Sequence, residues 1–187
     1  MKKRVFIIHG WDGNPNKDWL PWAKLQIESK GYEAVVPLMP DTDNPQITAW
    51  LDRIKESIGQ PKESDVLIGH SIGCQTIWRF LEQLPKGQKV GKVILIAPWL
   101  KLTNLENEEA WGIAKPWLET KIDFEKVKSK ADLFTAIFSS DDQWVPLEDN
   151  RNMLEKALNP QVIILENKGH FSEEEGVNEI PEILDLL

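Results

Sequence analysis

Residues Gly69-His70-Ser71-Ile72-Gly73 spell G-x-S-x-G directly after the apolar run Val66 to Ile68 and at the head of a segment with helical spacing, Ser71 to Leu84. A serine held on a sharp strand-to-helix turn has a strained backbone. Its neighbours two residues away must lack a Cβ so that strand and helix can approach. Such a turn lifts Oγ above the sheet edge and aims the free N–H groups of the helix start at the same place. Negative charge developing on a substrate oxygen is stabilised there. A turn glycine followed by a helix-capping serine is the plainer reading of these residues; the strand on one side and the helix on the other favour the nucleophile.

A serine hydroxyl is a poor nucleophile until a base takes its proton. The chain has three histidines. His70 lies in the turn itself, where its side chain is expected to point away from Ser71's attacking face. His9 closes the first strand ahead of Gly10, so it can face the site and contribute to a substrate pocket. His170, in Lys168-Gly169-His170-Phe171, follows the last strand, and loops at the C-terminal ends of strands are where reactive groups gather in a doubly wound sheet. It is the best base, although an exposed loop histidine is an ordinary thing to find there. The acid should come from Phe138-Ser139-Ser140-Asp141-Asp142-Gln143-Trp144-Val145-Pro146, where two carboxylates stand at a strand end. An aspartate there can accept the second ring N–H of the base, fix its tautomer and stabilise the imidazolium. Asp142 is preferred over Asp141, and at least one of the two is expected to cap the helix near Pro146. The chain order Ser71, Asp142, His170 differs from those of chymotrypsin-like and subtilisin-like proteases.

The elements that must position these groups are visible as short, near-continuous apolar runs. They are Val5 to Ile8, Glu33 to Val36, Val66 to Ile68, Val90 to Ile96, Leu133 to Phe138 and Val162 to Leu165, as expected for strands covered on both faces. Helical spacing recurs between them, at Trp19 to Ile27, Ile47 to Ile58, Ser71 to Leu84, Leu147 to Leu158, and in a terminal stretch, Val177 to Leu187. Strand and helix alternate as in a doubly wound α/β sheet with right-handed crossovers. Residues 98–130 have no clear strand and are read as short helices over the sheet's C-terminal edge, a candidate lid within a single domain spanning 1–187.

The chain has 187 residues, enough for one domain, and its 22 Lys and Arg against 30 Asp and Glu give a formal charge of −8. Nucleic acid and anionic membrane surfaces, which are bound through clustered basic residues, are therefore not expected as partners. A single cysteine, Cys74, cannot form an internal disulfide, and no Cys/His spacing suggests a metal site. The apolar run after Met1-Lys2-Lys3-Arg4 is too short for a secretory leader, which makes the cytoplasm the expected compartment.

On these motifs the chain resembles a small α/β-hydrolase, and more narrowly the retinoblastoma-binding-protein-9-like serine hydrolases. The resemblance spans essentially the whole sequence and rests on Val5-Phe6-Ile7-Ile8-His9-Gly10-Trp11, Gly69-His70-Ser71-Ile72-Gly73, Asp141-Asp142-x-x-Val145-Pro146 and Gly169-His170-Phe171. It implies a six-stranded parallel sheet in the order 2-1-3-4-5-6, with the second aspartate of the pair, Asp142, as the triad acid. It also implies an oxyanion hole made of two backbone N–H groups, those of Trp11 and Ile72. Hydrolysis by such a serine, base and acid needs no metal or organic cofactor. The protein partner behind the family's name finds no support in these residues.

Nine tryptophans stand against one tyrosine. Trp19, Trp22, Trp50 and Trp78 lie on apolar helical faces and are expected in the core. Trp11, Trp99 and Trp144 follow strands one, four and five, where they can wall a pocket for an apolar or aromatic group or simply seal the top of the domain. The expected activity is hydrolysis of a small-molecule ester or amide through an acyl-enzyme. A silent binding scaffold, an acyltransferase and a lyase on the same triad are the alternatives.

Overall fold

The apolar runs become the strands of one sheet, in a computed structural model that describes residues 2–187. In chain order the elements are β1 (Arg4–Ile8), α1 (Leu20–Ser29), β2 (Glu33–Val35), α2 (Ile47–Ile58), β3 (Val66–His70), α3 (Ile72–Glu82), β4 (Val90–Ile96), α4 (Glu108–Glu119), α5 (Phe124–Lys128), β5 (Ala131–Ser139), α6 (Leu147–Ala157), β6 (Gln161–Leu165) and α7 (Glu182–Asp185). The sheet has six strands in the order β2-β1-β3-β4-β5-β6, and every neighbouring pair is parallel. This is the order that the resemblance implied. The register sets Ile8 opposite Gly69, His70 opposite Ile96 and Ser139 opposite Leu165, so five strands end along a common edge.

Side chains alternate between the two faces of each strand. In β1, Val5 and Ile7 join a core with Trp19, Ala23 and Ile27 of the α1 region and with Phe171 and Ile183. Phe6 and Ile8 point the other way, into a core with Trp50 and Ile54 of α2, Trp78 of α3 and Leu154 of α6. Each such buried aliphatic or aromatic side chain stabilises the fold by about 1.5–3 kcal/mol. Trp19, Trp50 and Trp78 are fully buried, whereas Trp22 is only half-buried. The α2 stripe recurs with helical period at Trp50, Leu51, Ile54 and Ile58, and Gly59 at φ +60° ends it in a conformation that costs glycine little.

Residues 98–130 carry α4 and α5. Asn107 starts α4 by accepting the Ala110 N–H at 2.8 Å, with Glu108 and Glu109 in the positively polarised first turn. Its far end is tied down twice. Trp117 Nε1 donates to Pro45 O at 2.9 Å, and Arg79 Nη2 in α3 donates to the carbonyls of Trp117 and Thr120, both at 2.9 Å. A cation at helix C-terminal carbonyls is favourable, and burial lowers this guanidinium only to about 10, so it stays charged.

The terminal helix is much shorter than expected. The apolar spacing of Val177 to Leu187 predicts one helix, but only Glu182–Asp185 is helical, after a turn at Glu173–Glu175. Pro181 has no N–H to continue a helix from the preceding turn. Val177, Ile180 and Ile183 are nevertheless buried. Among the described residues no helix is long and apolar enough to cross a membrane.

Candidate active site

Ser71 stands between β3 and α3 at φ +52°, ψ −118°, a conformation that costs a non-glycine residue roughly 1–3 kcal/mol. Its N–H donates to Ile96 O at 2.8 Å, which pins the turn to the end of β4. The flanking glycines are there for space. A Cβ at Gly69 would lie 2.8 Å from the Cys74 nitrogen, and one at Gly73 would collide with the main-chain oxygen of Ile8. Cys74 is buried, its Sγ donates to Gly69 O at 3.2 Å, and burial pushes its thiol pKa far up. It is a packed side chain, not a second nucleophile.

The loops after β5 and β6 bring the other two groups together. His170 Nδ1 lies 2.7 Å from Asp142 Oδ2, while Asp142 Oδ1 accepts the N–H groups of Trp144 and Val145 at 2.9 and 3.0 Å. A carboxylate can only accept, so the partner assigns the ring proton to Nδ1 and leaves Nε2 with a free lone pair. His170 and Ser71 line one cavity. Asp141 does something different. Its Oδ1 accepts from Ser139 Oγ at 2.7 Å and from the Gly169 N–H at 2.8 Å, and these bonds, the serine's first, hold its carboxyl below the usual carboxylate range. Ser139 Oγ in turn accepts the Lys168 N–H at 2.9 Å.

Sequence reasoning passed over Glu175. Its Oε2 accepts the His170 N–H at 2.6 Å, the Ser172 hydroxyl at 2.9 Å and the Ser172 N–H at 3.3 Å, the last closing a capping box that the spacing Ser172-x-x-Glu175 announces. The main chain of His170 is therefore held at its nitrogen by Glu175 and at its oxygen by His70.

Two of the expected histidine placements are corrected. His9 is not a pocket residue: it is fully buried, its ring meets Trp50 edge-on, Nδ1 donates to Gly10 O at 2.8 Å, and Nε2 accepts the Met39 N–H at 3.1 Å. Burial lowers its pKa and keeps it neutral, as those two partners require. His70 does not turn away from the site. Its ring lines the cavity beside Ser71, 5.3 Å from the His170 ring, with Nε2 2.8 Å from His170 O.

The cavity has a volume of about 230 Å³ and is walled by Trp11, Trp99, Trp144, Leu102, Leu105 and Ala110, so the three strand-end tryptophans do converge. Trp144 stands edge-on to His170 at 5.2 Å, and Trp99 Nε1 donates to Ser71 Oγ at 3.3 Å. Asp12 and Glu106 supply the carboxylates of its lining. Desolvation, then the nearby Asp43, raises the Asp12 pKa. The Trp11 and Ile72 residues border the same space, and their N–H groups make no hydrogen bond among the described residues. Among those residues no group of three or more His, Cys, Asp and Glu side chains is placed to hold a metal ion.

The strand order, together with a serine on the turn after β3, is that of the α/β-hydrolases. The chain belongs to the serine hydrolase family, whose model matches residues 5–187, and it is a hydrolase. It is 30% identical over 188 residues to YdeN of Bacillus subtilis (strain 168), a match covering 100% of this chain and 95% of the relative. The crystal structure of the ydeN gene product superposes with a TM-score of 0.89 at 29% identity, covering 99% of this chain and 96% of that one. Two more distant structures share the fold. A carboxylesterase of the thaumarchaeon Nitrososphaera gargenis is 15% identical with a TM-score of 0.66, covering 99% and 88% of the two chains. The 2-hydroxy-6-oxo-6-phenylhexa-2,4-dienoate hydrolase of Rhodococcus sp. strain RHA1 is 13% identical with the same TM-score, 0.66, covering 99% and 89%.

Proposed function

We propose that this hydrolase cleaves an ester or amide of a small, uncharged or cationic molecule through an acyl-enzyme. Ser71 attacks the carbonyl carbon while His170 Nε2 takes its proton, and the carbonyl π pair moves onto the oxygen held by the N–H groups of Trp11 and Ile72. Collapse expels the alcohol or amine, which receives the proton from His170. Water then repeats the sequence on the acyl-serine, and Asp142 holds the imidazole and its transient charge throughout. The observation that supports this reading is the 2.7 Å bond from His170 Nδ1 to Asp142 Oδ2, because it leaves Nε2 with the lone pair that a base needs, on a residue that lines the same cavity as Ser71. The indole and leucine walls suit an apolar acyl or leaving group, and the carboxylates of Asp12 and Glu106 disfavour an anionic one.

A fluorophosphonate tests the reading. It should label the native chain at Ser71, and neither Ser71→Ala nor His170→Ala should react at a comparable rate. Folded native protein that stays unlabelled would leave the binding-scaffold alternative in its place.

A further inference from the structure

We infer that the indole N–H of Trp99 is a catalytic donor to the nucleophile itself, stabilising negative charge on Ser71 Oγ as it forms and as it leaves. The inference rests on the acyl-enzyme reading above.

Trp99 is 2% exposed, and its Nε1 meets Ser71 Oγ at 3.3 Å. An indole N–H can only donate, so the hydroxyl must accept here and its own proton is left for another acceptor. In the proposed attack that acceptor is His170 Nε2, in the same cavity. The donor is also held in place from behind. The chain leaves β4 through Ala97 at φ +47°, a left-handed turn that brings Trp99 back over the serine. Gln75 Nε2 in α3 donates to Trp99 O at 2.7 Å, and Gln75 Oε1 accepts from the buried Arg79. Asn150 Oδ1 accepts the next two main-chain N–H groups, Leu100 at 2.7 Å and Lys101 at 2.9 Å.

A fixed donor at this atom acts twice. During acylation Oγ gains electron density as its proton moves to His170 and its lone pair bonds the acyl carbon. In deacylation the same oxygen is the leaving group and carries charge until His170 returns the proton. The indole keeps its own proton in both steps, so nothing but charge stabilisation is asked of it. The oxyanion donors serve the carbonyl oxygen; Trp99 serves the oxygen on the other side of the reacting carbon.

The test compares native protein with Trp99→Phe, which keeps an aromatic wall and removes the N–H. The fluorophosphonate labelling rate and kcat on a short nitrophenyl ester should both fall about ten- to a hundredfold, the range for hydrogen bonds to charged groups, with KM and Tm little changed. Equal labelling rates, a gain in kcat, or a loss confined to KM would overturn the assignment while native labelling at Ser71 left the acyl-enzyme reading intact. A second measurement does not depend on how the variant folds. In Ser71→Ala the Trp99 indole resonance should move upfield and its N–H exchange faster with solvent, since its acceptor is gone; an unmoved resonance overturns the proposal.

Discussion

Asp141 accepts the N–H of Gly169 at 2.8 Å, one residue before the imidazole that Asp142 holds at 2.7 Å. Two adjacent carboxylates thus grip one loop in different ways, one by its main chain and the other by its reactive ring. The first sets where the loop stands, and the second sets which ring nitrogen carries the proton.

Exchanging each carboxylate for its amide separates those roles. Asp142→Asn keeps the shape but presents an N–H₂ to Nδ1 and favours the wrong tautomer, so kcat should fall by about 10³–10⁴ with little change in Tm. Asp141→Asn can still accept the Gly169 N–H through its amide oxygen and should lose less than about tenfold. Steady-state kinetics and thermal melts on the two variants decide it, and the reverse ranking would exchange the assignments.

Much of this was legible in the sequence because parallel strands buried on both faces must be apolar almost throughout, and because a serine on a strand-to-helix turn requires glycines at fixed offsets. The same information located His9 at a strand end without saying which face it takes; Trp50 and the Met39 N–H claim its ring from the α2 side. The spacing of Val177, Ile180 and Ile183 fits a helix, yet buried positions on either side of Pro181 also fit a loop pressed against a core, and only Ile183 lies in the short helix that forms. Trp99 reads as a wall because residue type predicts burial, whereas the aim of its N–H depends on packing by Gln75 and Asn150, distant in sequence. Arg79 gave no signal at all: the carbonyls of Trp117 and Thr120 that it ties down lie about forty residues along the chain.

Gly73→Ala should damage the elbow more than any other single methyl. Its Cβ would strike the main-chain oxygen of Ile8, which cannot swing aside, so α3 must shift. Overpacking of this kind typically costs about 1–3 kcal/mol, and a displacement near 1 Å at Ser71 should lower activity about a hundredfold. Gly112→Ala is the control. It lies inside α4 with nothing within 4 Å of its would-be Cβ, and it should stabilise the chain by about 0.5–1 kcal/mol. Equal Tm values for the two variants would contradict this account of the elbow.

Substrate charge should matter at the cavity mouth. With Asp12 and Glu106 in its lining and a formal charge of −8 on the chain, a hemiester carrying a free carboxylate on its acyl group should show about tenfold lower kcat/KM than a neutral ester of the same length. Added salt should narrow the gap, as should Glu106→Gln. A gap that ignores both would assign the preference to shape instead.

His70 couples protonation to stability. Its ring is buried against Trp19 and His170, and burial, with a further contribution from His170, lowers its pKa from 6.5 to about 3. The hydrogen bond to His170 O places the ring proton on Nε2, and the neutral ring adds no positive charge beside the imidazolium that His170 would become in the proposed mechanism. In the unfolded chain the same imidazole titrates near 6.5, so between about 6.5 and 3 the unfolded state holds a proton that the folded state refuses. Above this window the group contributes no pH dependence. Within it, stability falls as pH falls, by roughly 1.4 kcal/mol for each unit. From pH 6.5 to 5.0 that is roughly 2 kcal/mol, or about 4–8 °C in Tm for a chain of this size. His70→Gln, whose amide can still donate to the His170 carbonyl, should flatten the slope without abolishing it, because His9 is also kept neutral by burial. Melts of native and variant protein across this range would give parallel curves if His70 were free to take a proton in the fold.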